Sequence, residues 1–207
     1  MLNQACMTQQ KQERIHDDSQ QMRANSYALI AALLAKPPEQ ELLEKLQGIA
    51  VQANDSKDIV NAWNMLRLAA ETNHAEAVAD EYYGLFIGIG RGELVPFASW
   101  YLTGFLMEKP LAHLRQRLAQ LGFERQEGVH EPEDHAAALC EVMSQLILDQ
   151  DITFEEQQKF YQEFMGNWME KFFNDMQGAE TAGFYRAVGQ LGESFMNIEK
   201  RYFSMMV

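Results

Sequence analysis

Cysteine is nearly absent from this chain of 207 residues, which has only Cys6 and Cys140. Neither belongs to a C-x-x-C pair, so the sequence offers no disulfide framework, zinc site or redox motif, and a reducing compartment fits. Positive charge is scarce too. Lys plus Arg number 17 against 30 Asp plus Glu, a formal net charge of −13. Such a chain repels the phosphates of nucleic acid and of anionic membrane surfaces, and it attracts basic peptides. No apolar run is long enough to span a bilayer, and the opening MLNQACMTQQKQERIHDDSQQ has no apolar h-region. The expectation is a cytoplasmic protein without stable membrane insertion. Period-two strands, Asn-Gly hairpins, internal repeats and low-complexity runs are also missing, which leaves helix as the building material.

Helical periodicity is present almost everywhere, and the fold class it predicts is all-α, a bundle of about ten helices. Residues 1–16 are polar and Gln-rich and read as a flexible tail. Asp17, Asp18 and Ser19 supply cap chemistry for a helix with Tyr27, Ile30, Leu33 and Leu34 as its stripe, ended by Pro37 and Pro38. Further helices are expected from about Glu39 to Ala53, through Ile59, Trp63, Leu66 and Ala70, and from near His74. Pro110 opens another that Gly122 closes. The polar Gly- and Pro-containing segment 122–133 is the expected hinge between an N-terminal subdomain, 17–121, and a C-terminal one, 134–207. A hinge of this length permits packing within one chain or exchange between two in a homodimer. Beyond it, Leu139, Val142, Met143, Leu146 and Ile147 mark one helix opened by Pro132. Thr153 with Glu155 and Glu156 starts another, carrying Phe160, Phe164, Trp168 and Phe172 toward Met176. Thr181 begins the last.

The chain is organised around EYYGLFIGIGRGELVPFASWYLTGFLM, residues 81–107. Tyr82, Leu85 and Phe86 share a helical face, and Gly88 is expected to stop that helix. A loop follows, with Pro96 suited to the first turn of the next helix. Phe97, Tyr101 and Phe105 recur at i, i+4 and i+8 and read as core. The glycines form G-x-G-x-G after a helix, whereas a dinucleotide fingerprint needs G-x-G-x-x-G after a strand, so a phosphate cradle is not expected. No P-loop supports guanine-nucleotide binding. The stretch holds no obvious catalytic acid, base or nucleophile, a mixture that favours holding something over transforming it.

A second constellation, EPEDHAAALCEVM, occupies residues 131–143. Glu131, Glu133 and Asp134 place negative charge around a helix start, where the dipole favours it, and His135 falls in the same turn. Taken together, LF-x-G-x-G followed by PFAS-x-Y (residues 85–101) and EP-x-DH-xxx-L (residues 131–139) resemble, in order and spacing, the signature segments of the TorD/DmsD family. These are the cytoplasmic redox-enzyme maturation chaperones of bacteria. The chain departs from the family pattern at Ala98, where many members have a polar residue, and at Phe97, where others have Tyr or Trp.

The resemblance implies an all-helical fold in two subdomains, no enzymatic chemistry and no cofactor. It implies a client as well: the twin-arginine signal peptide, or the apo form, of a molybdopterin-dependent oxidoreductase. Formate dehydrogenase, trimethylamine-oxide (TMAO) reductase and dimethyl-sulfoxide (DMSO) reductase types are all open. The binding residues it implies are Leu85, Phe86, Pro96, Phe97, Ser99, Tyr101, Pro132, Asp134 and His135. Charge gives a parallel reading, in which Asp134 with Glu131 or Glu133 offers carboxylates to adjacent guanidiniums. Met143, Met165, Met169 and Met196 would then supply an adaptable apolar surface. Two other functions compete. One is a helical adaptor for a folded partner without an export role. The other is a metal-dependent helical-bundle enzyme, for which Glu71 to His74 and Glu127 to His130 give the E-x-x-H spacing but straddle a helix end and the hinge.

Overall fold

The computed structural model describes residues 2–49, 56–125 and 131–205, with side chains from residue 18 onward. Among these residues it contains ten α-helices, one π-helical turn and no strand, which is the all-α class expected. The helices are α1 (Leu2–Ala35), α2 (Gln40–Gln47), α3 (Lys57–Thr72), α4 (Ala75–Tyr82), α5 (Ala98–Thr103), α6 (Lys109–Gln120), α7 (Ala136–Leu148), α8 (Phe154–Phe164), α9 (Met169–Gly178) and α10 (Phe184–Met205). The π turn, Tyr83–Ile87, continues α4 directly.

Two long helices organise the packing. α1 lies along α7, while α10 packs on both α9 and α3, and α2 closes on α3. One apolar cluster runs through all of them, from Tyr27 and Leu33 on α1 through Met143 and Leu146 on α7 to Phe172, Phe184 and Phe203. The segments before and after 122–133 thus share one core, and residues 126–130 within that stretch lie outside the described residues, as does the Glu127 to His130 pair. At the other E-x-x-H, Glu71 lies in the last turn of α3 while His74 is the N-cap of α4, so the two share no helix face.

Buried polar groups tie α1 in place. Arg23 donates through Nε and Nη2 to the two carboxylate oxygens of Glu199 at 2.7 Å each, and the Tyr27 hydroxyl donates to the same carboxylate. Glu199 is fully buried, so removing either charge would strand the other in the core. At the far end of α1 the last carbonyls have no helical partner. The Tyr185 and Tyr82 hydroxyls donate to the carbonyls of Leu33 and Leu34 at 2.8 and 3.2 Å.

Several boundaries differ from the sequence reading. α1 begins at Leu2, so Asp17 to Ser19 are interior rather than a cap. The aromatic stripe from Phe160 to Phe172 is not one helix, because the chain breaks between Phe164 and Met169. There the Trp168 indole donates to the freed Phe164 carbonyl at 2.8 Å, which lets the stripe continue across the break. Thr153 does start a helix, as expected, and with Glu156 it forms a reciprocal capping box. Phe105 lies past the end of α5 and is exposed, not core, because Gly104 ends that helix in the left-handed region. Met143, Met165, Met169 and Met196 are all buried, so they fill the core and do not line a groove.

Candidate client-binding site

The glycine loop is a fold-back. Gly88 stops the π turn at φ 57°, ψ 179°, a conformation open essentially to glycine alone. A Cβ there would overlap the Arg91 carbonyl, and one at Gly92 would overlap the backbone of Leu85 and Phe86. The return limb is held by Leu94 N–H donating to the Leu85 carbonyl at 2.8 Å. Two carboxylates then lock this unit onto the start of α10. Glu81 accepts from the N–H groups of Gly183, Phe184 and Tyr185, and Glu93 accepts from those of Glu180 and Thr181. Five backbone donors at a helix start are met from a segment about a hundred residues away in sequence, so no local cap motif announced either glutamate. Leu85 is buried, and Phe86 packs edge-on against Tyr82 and Tyr185.

The two signature segments meet at a clasp. Phe97 and His135 form an isolated antiparallel bridge: Ala98 N–H donates to the Asp134 carbonyl and Ala136 N–H to the Pro96 carbonyl. Each segment thereby satisfies an orphan donor at the other's helix start. Asp134 adds its side chain, accepting from Ser99 N–H at 2.8 Å in the first turn of α5. His135 is the N-cap of α7, its Nδ1 accepting from Ala137 N–H at 3.1 Å, and its ring meets Phe97 edge-on. Pro96 and Pro132 therefore lie ahead of their helices rather than in the first turns, and α7 has no acidic residue in its first turn. Ser99, Asp134 and His135 are all buried. With Asp134 only 1% exposed, it cannot present a carboxylate to an incoming guanidinium, as the charge reading expected. Its second oxygen and the Ser99 hydroxyl have no hydrogen-bond partner among the described residues.

Burial holds the His135 imidazole down at about 4, so the ring is neutral at neutral pH. With Nδ1 serving as acceptor, the proton of that neutral ring sits on Nε2. Nε2 faces the Glu131 carboxylate at 4.0 Å.

Beside the clasp opens a cleft of about 580 Å³ between the end of α6, the 131–135 segment and α7. Leu118, Phe123, Pro132, Ala138 and Val142 give it apolar walls, and Glu124, Glu131, Glu133 and Glu141 give it carboxylates. Partial burial raises the Glu131 carboxyl above its ordinary range. Glu133 carries Arg115 on one oxygen, through Nε at 2.9 Å and Nη2 at 2.8 Å, and faces Arg125 across 3.8 Å with the other. Of the ten residues expected at the site, Glu131, Pro132 and His135 line this cleft. Pro96, Phe97, Ser99 and Asp134 build the clasp behind it. Leu85 and Phe86 belong to the glycine fold-back. Tyr101 faces elsewhere, donating to Asp175 at 3.1 Å and packing on Trp168 and Phe172, with burial raising its hydroxyl. Glu133 entered the sequence reading as a helix-start charge and as an alternative guanidinium partner, whereas Glu141 was assigned no role, since nothing local shows that α7 places it on the same wall.

Comparison with known proteins agrees with this architecture. The family model described as nitrate reductase delta subunit matches residues 52–174, more than half of the chain. Among curated relatives, the chaperone protein TorD of Vibrio parahaemolyticus is 26% identical over 87% of this chain and 94% of its own length. The chaperone protein TorD of Vibrio vulnificus is 28% identical over the same shares. A crystal structure described as a candidate redox enzyme maturation protein from Archaeoglobus fulgidus superposes with a TM-score of 0.54 at 16% identity, covering 85% of this chain and 94% of that one. No helix among the described residues is long and apolar enough to cross a membrane. The chain therefore belongs to the nitrate reductase delta subunit family and, within it, to the TorD/DmsD group of maturation chaperones that its two signature segments resemble.

Proposed function

We propose that this maturation chaperone recognises its client, a molybdopterin-dependent oxidoreductase, through a twin-arginine signal peptide seated in the cleft beside the clasp. The protein acts without catalysis, as its TorD relatives are chaperones. The observation that carries the reading is the cleft itself, which joins apolar walls to four glutamates on a chain of net charge −13. A twin-arginine peptide has the complementary make-up, two guanidiniums followed by an apolar segment, and guanidinium favours planar carboxylate partners. Binding in the cytoplasm would delay export of the apo-enzyme until its cofactor is in place. The expected halves, 17–121 and 134–207, both supply walls, so a hinge at 122–133 would set the width of the cleft. Exchange of halves between two chains would rebuild the same cleft in a homodimer.

A second reading has its own observation. Tyr83, Ile87, Ile89, Phe105 and Met107 are exposed around the glycine loop and the end of α5, apolar surface of the kind that docks a folded partner. Calorimetric titration with molybdoenzyme signal peptides, each paired with a twin-lysine control, separates the two. Saturable binding lost in the control supports the cleft. Absence of binding to every peptide transfers the function to recognition of the folded client.

A further inference from the structure

We infer that Arg115 and Arg125 are resident stand-ins for the client's arginine pair, and that the signal peptide binds by displacing them from Glu133. This rests on the peptide reading above and concerns how that cleft chooses its ligand. Glu133 is less accessible than Glu131 in the same cleft, its side chain 19% exposed against 52%. Both of its oxygens face guanidiniums, Arg115 on Oε2 at 2.8 to 2.9 Å and Arg125 on Oε1 at 3.8 Å. Arg125 also donates through Nη2 to the Glu131 carbonyl at 3.0 Å. The two arginine side chains remain 50% and 41% exposed, so they can leave to water, whereas the carboxylate they serve cannot follow them.

An unoccupied cleft with a half-buried, unpaired carboxylate would be costly. Resident guanidiniums remove that cost, and exchange for incoming guanidiniums keeps Glu133 paired throughout. Discrimination rests on the contact that replaces the residents. A lysine ammonium is a point charge that does not reproduce the flat, multi-donor contact Arg115 makes through Nε and Nη2. It therefore competes poorly against the residents, while an arginine pair competes evenly and gains from Glu131 and Glu141 besides.

The experiment is titration of wild type, Arg115→Gln and Arg67→Gln with a twin-arginine signal peptide and its twin-lysine control. Arg67 pairs with Glu71 on α3, away from the cleft, and controls for net charge. Arg115→Gln is expected to bind the twin-arginine peptide about three- to tenfold more tightly, the range of a modest charged pair. The preference over twin-lysine should stay unchanged, because the cost of displacing Arg115 is common to both peptides and cancels in their ratio. Arg67→Gln should match wild type. In parallel, the Arg115 Nε–H resonance of wild type should move toward its solvent-exposed position as peptide saturates. Weaker or unchanged binding by Arg115→Gln, or an Nε–H signal that stays fixed while peptide binds, overturns the exchange and leaves the peptide site standing. If no peptide binds any of the three proteins, the peptide site fails and the exchange fails with it.

Discussion

The glycine fold-back and the α7 cleft carry the two signature segments and meet at the clasp, yet they use their polar groups in opposite ways. In the fold-back every carboxylate is spent inward. Glu81 and Glu93 accept from five backbone donors of residues 180–185, and Ile87 and Ile89 are left exposed beside Arg91. In the cleft the walls are apolar, while Glu131 and Glu141 face outward, both exposed. The contrast teaches that a signature can mark the architecture that holds a site as well as the site. Residues 85–101 mostly build; residues 131–145 build through Asp134 and His135 and present through Glu131 and Glu141.

The largest effects should come from breaking the fold-back. Gly88→Ala forces a Cβ into the Arg91 carbonyl at a backbone conformation reserved for glycine, and should cost about 3 kcal/mol or more of unfolding free energy. Glu81→Gln weakens three charge-assisted bonds at the start of α10 and should cost about 2 to 3 kcal/mol in urea denaturation. Gly90→Ala isolates the backbone part on the same loop: a Cβ there meets nothing, but φ of 89° still strains an L residue, so it should cost about 1 to 2 kcal/mol, less than Gly88→Ala.

Next comes pH, acting through the clasp. His135 is held at about 4 in the folded chain and titrates near 6.5 when unfolded. Between those values the unfolded state binds more protons, so stability is full above the unfolded value and falls as pH drops toward 4. From pH 7 to 4.5 this group alone should remove on the order of 2 to 3 kcal/mol. Comparing urea midpoints of wild type and His135→Asn, which keeps a capping side chain, should show a visibly flatter pH profile in the variant. Asp134→Asn should cost less, about 1 to 2 kcal/mol, since only the side-chain part of the α5 cap changes while the backbone bridge stays.

The smallest effect on stability, and the sharpest on binding, belongs to the cleft. Glu131→Gln with Glu141→Gln should leave unfolding within about 0.5 kcal/mol of wild type, because both side chains are exposed. The same double variant should lose roughly three- to tenfold in affinity for a twin-arginine peptide. Equal binding in that variant, or a loss matched by Ile89→Ser, would erase the distinction between the two regions.

How much of this was legible depended on sequence distance. The helix start at Thr153 was read directly, because the Thr153 and Glu156 that cap it lie three residues apart. Gly88 as a stop was equally local. The caps supplied by Asp134 to Ser99 and by Glu81 to Phe184 cross 35 and 103 residues, so no window along the chain contains both partners. Periodicity misled at Phe160 to Phe172 because the stripe persists in space across a break closed by the Trp168 indole. The cleft was half legible. Glu131, Pro132 and His135 lie in one motif, whereas Leu118 and Glu141 join them only where the fold brings the end of α6 and a face of α7 to one cleft.

The most direct test of the central claim is site mapping with a twin-arginine signal peptide that carries a photoreactive group beside its arginine pair, followed by mass spectrometry of the adducts. The account predicts adducts on Phe123, Pro132 and Val142, suppressed by excess unlabelled peptide. Adducts confined to Ile89, Phe105 or Met107 would contradict it and assign recognition to the glycine fold-back and its neighbouring apolar surface.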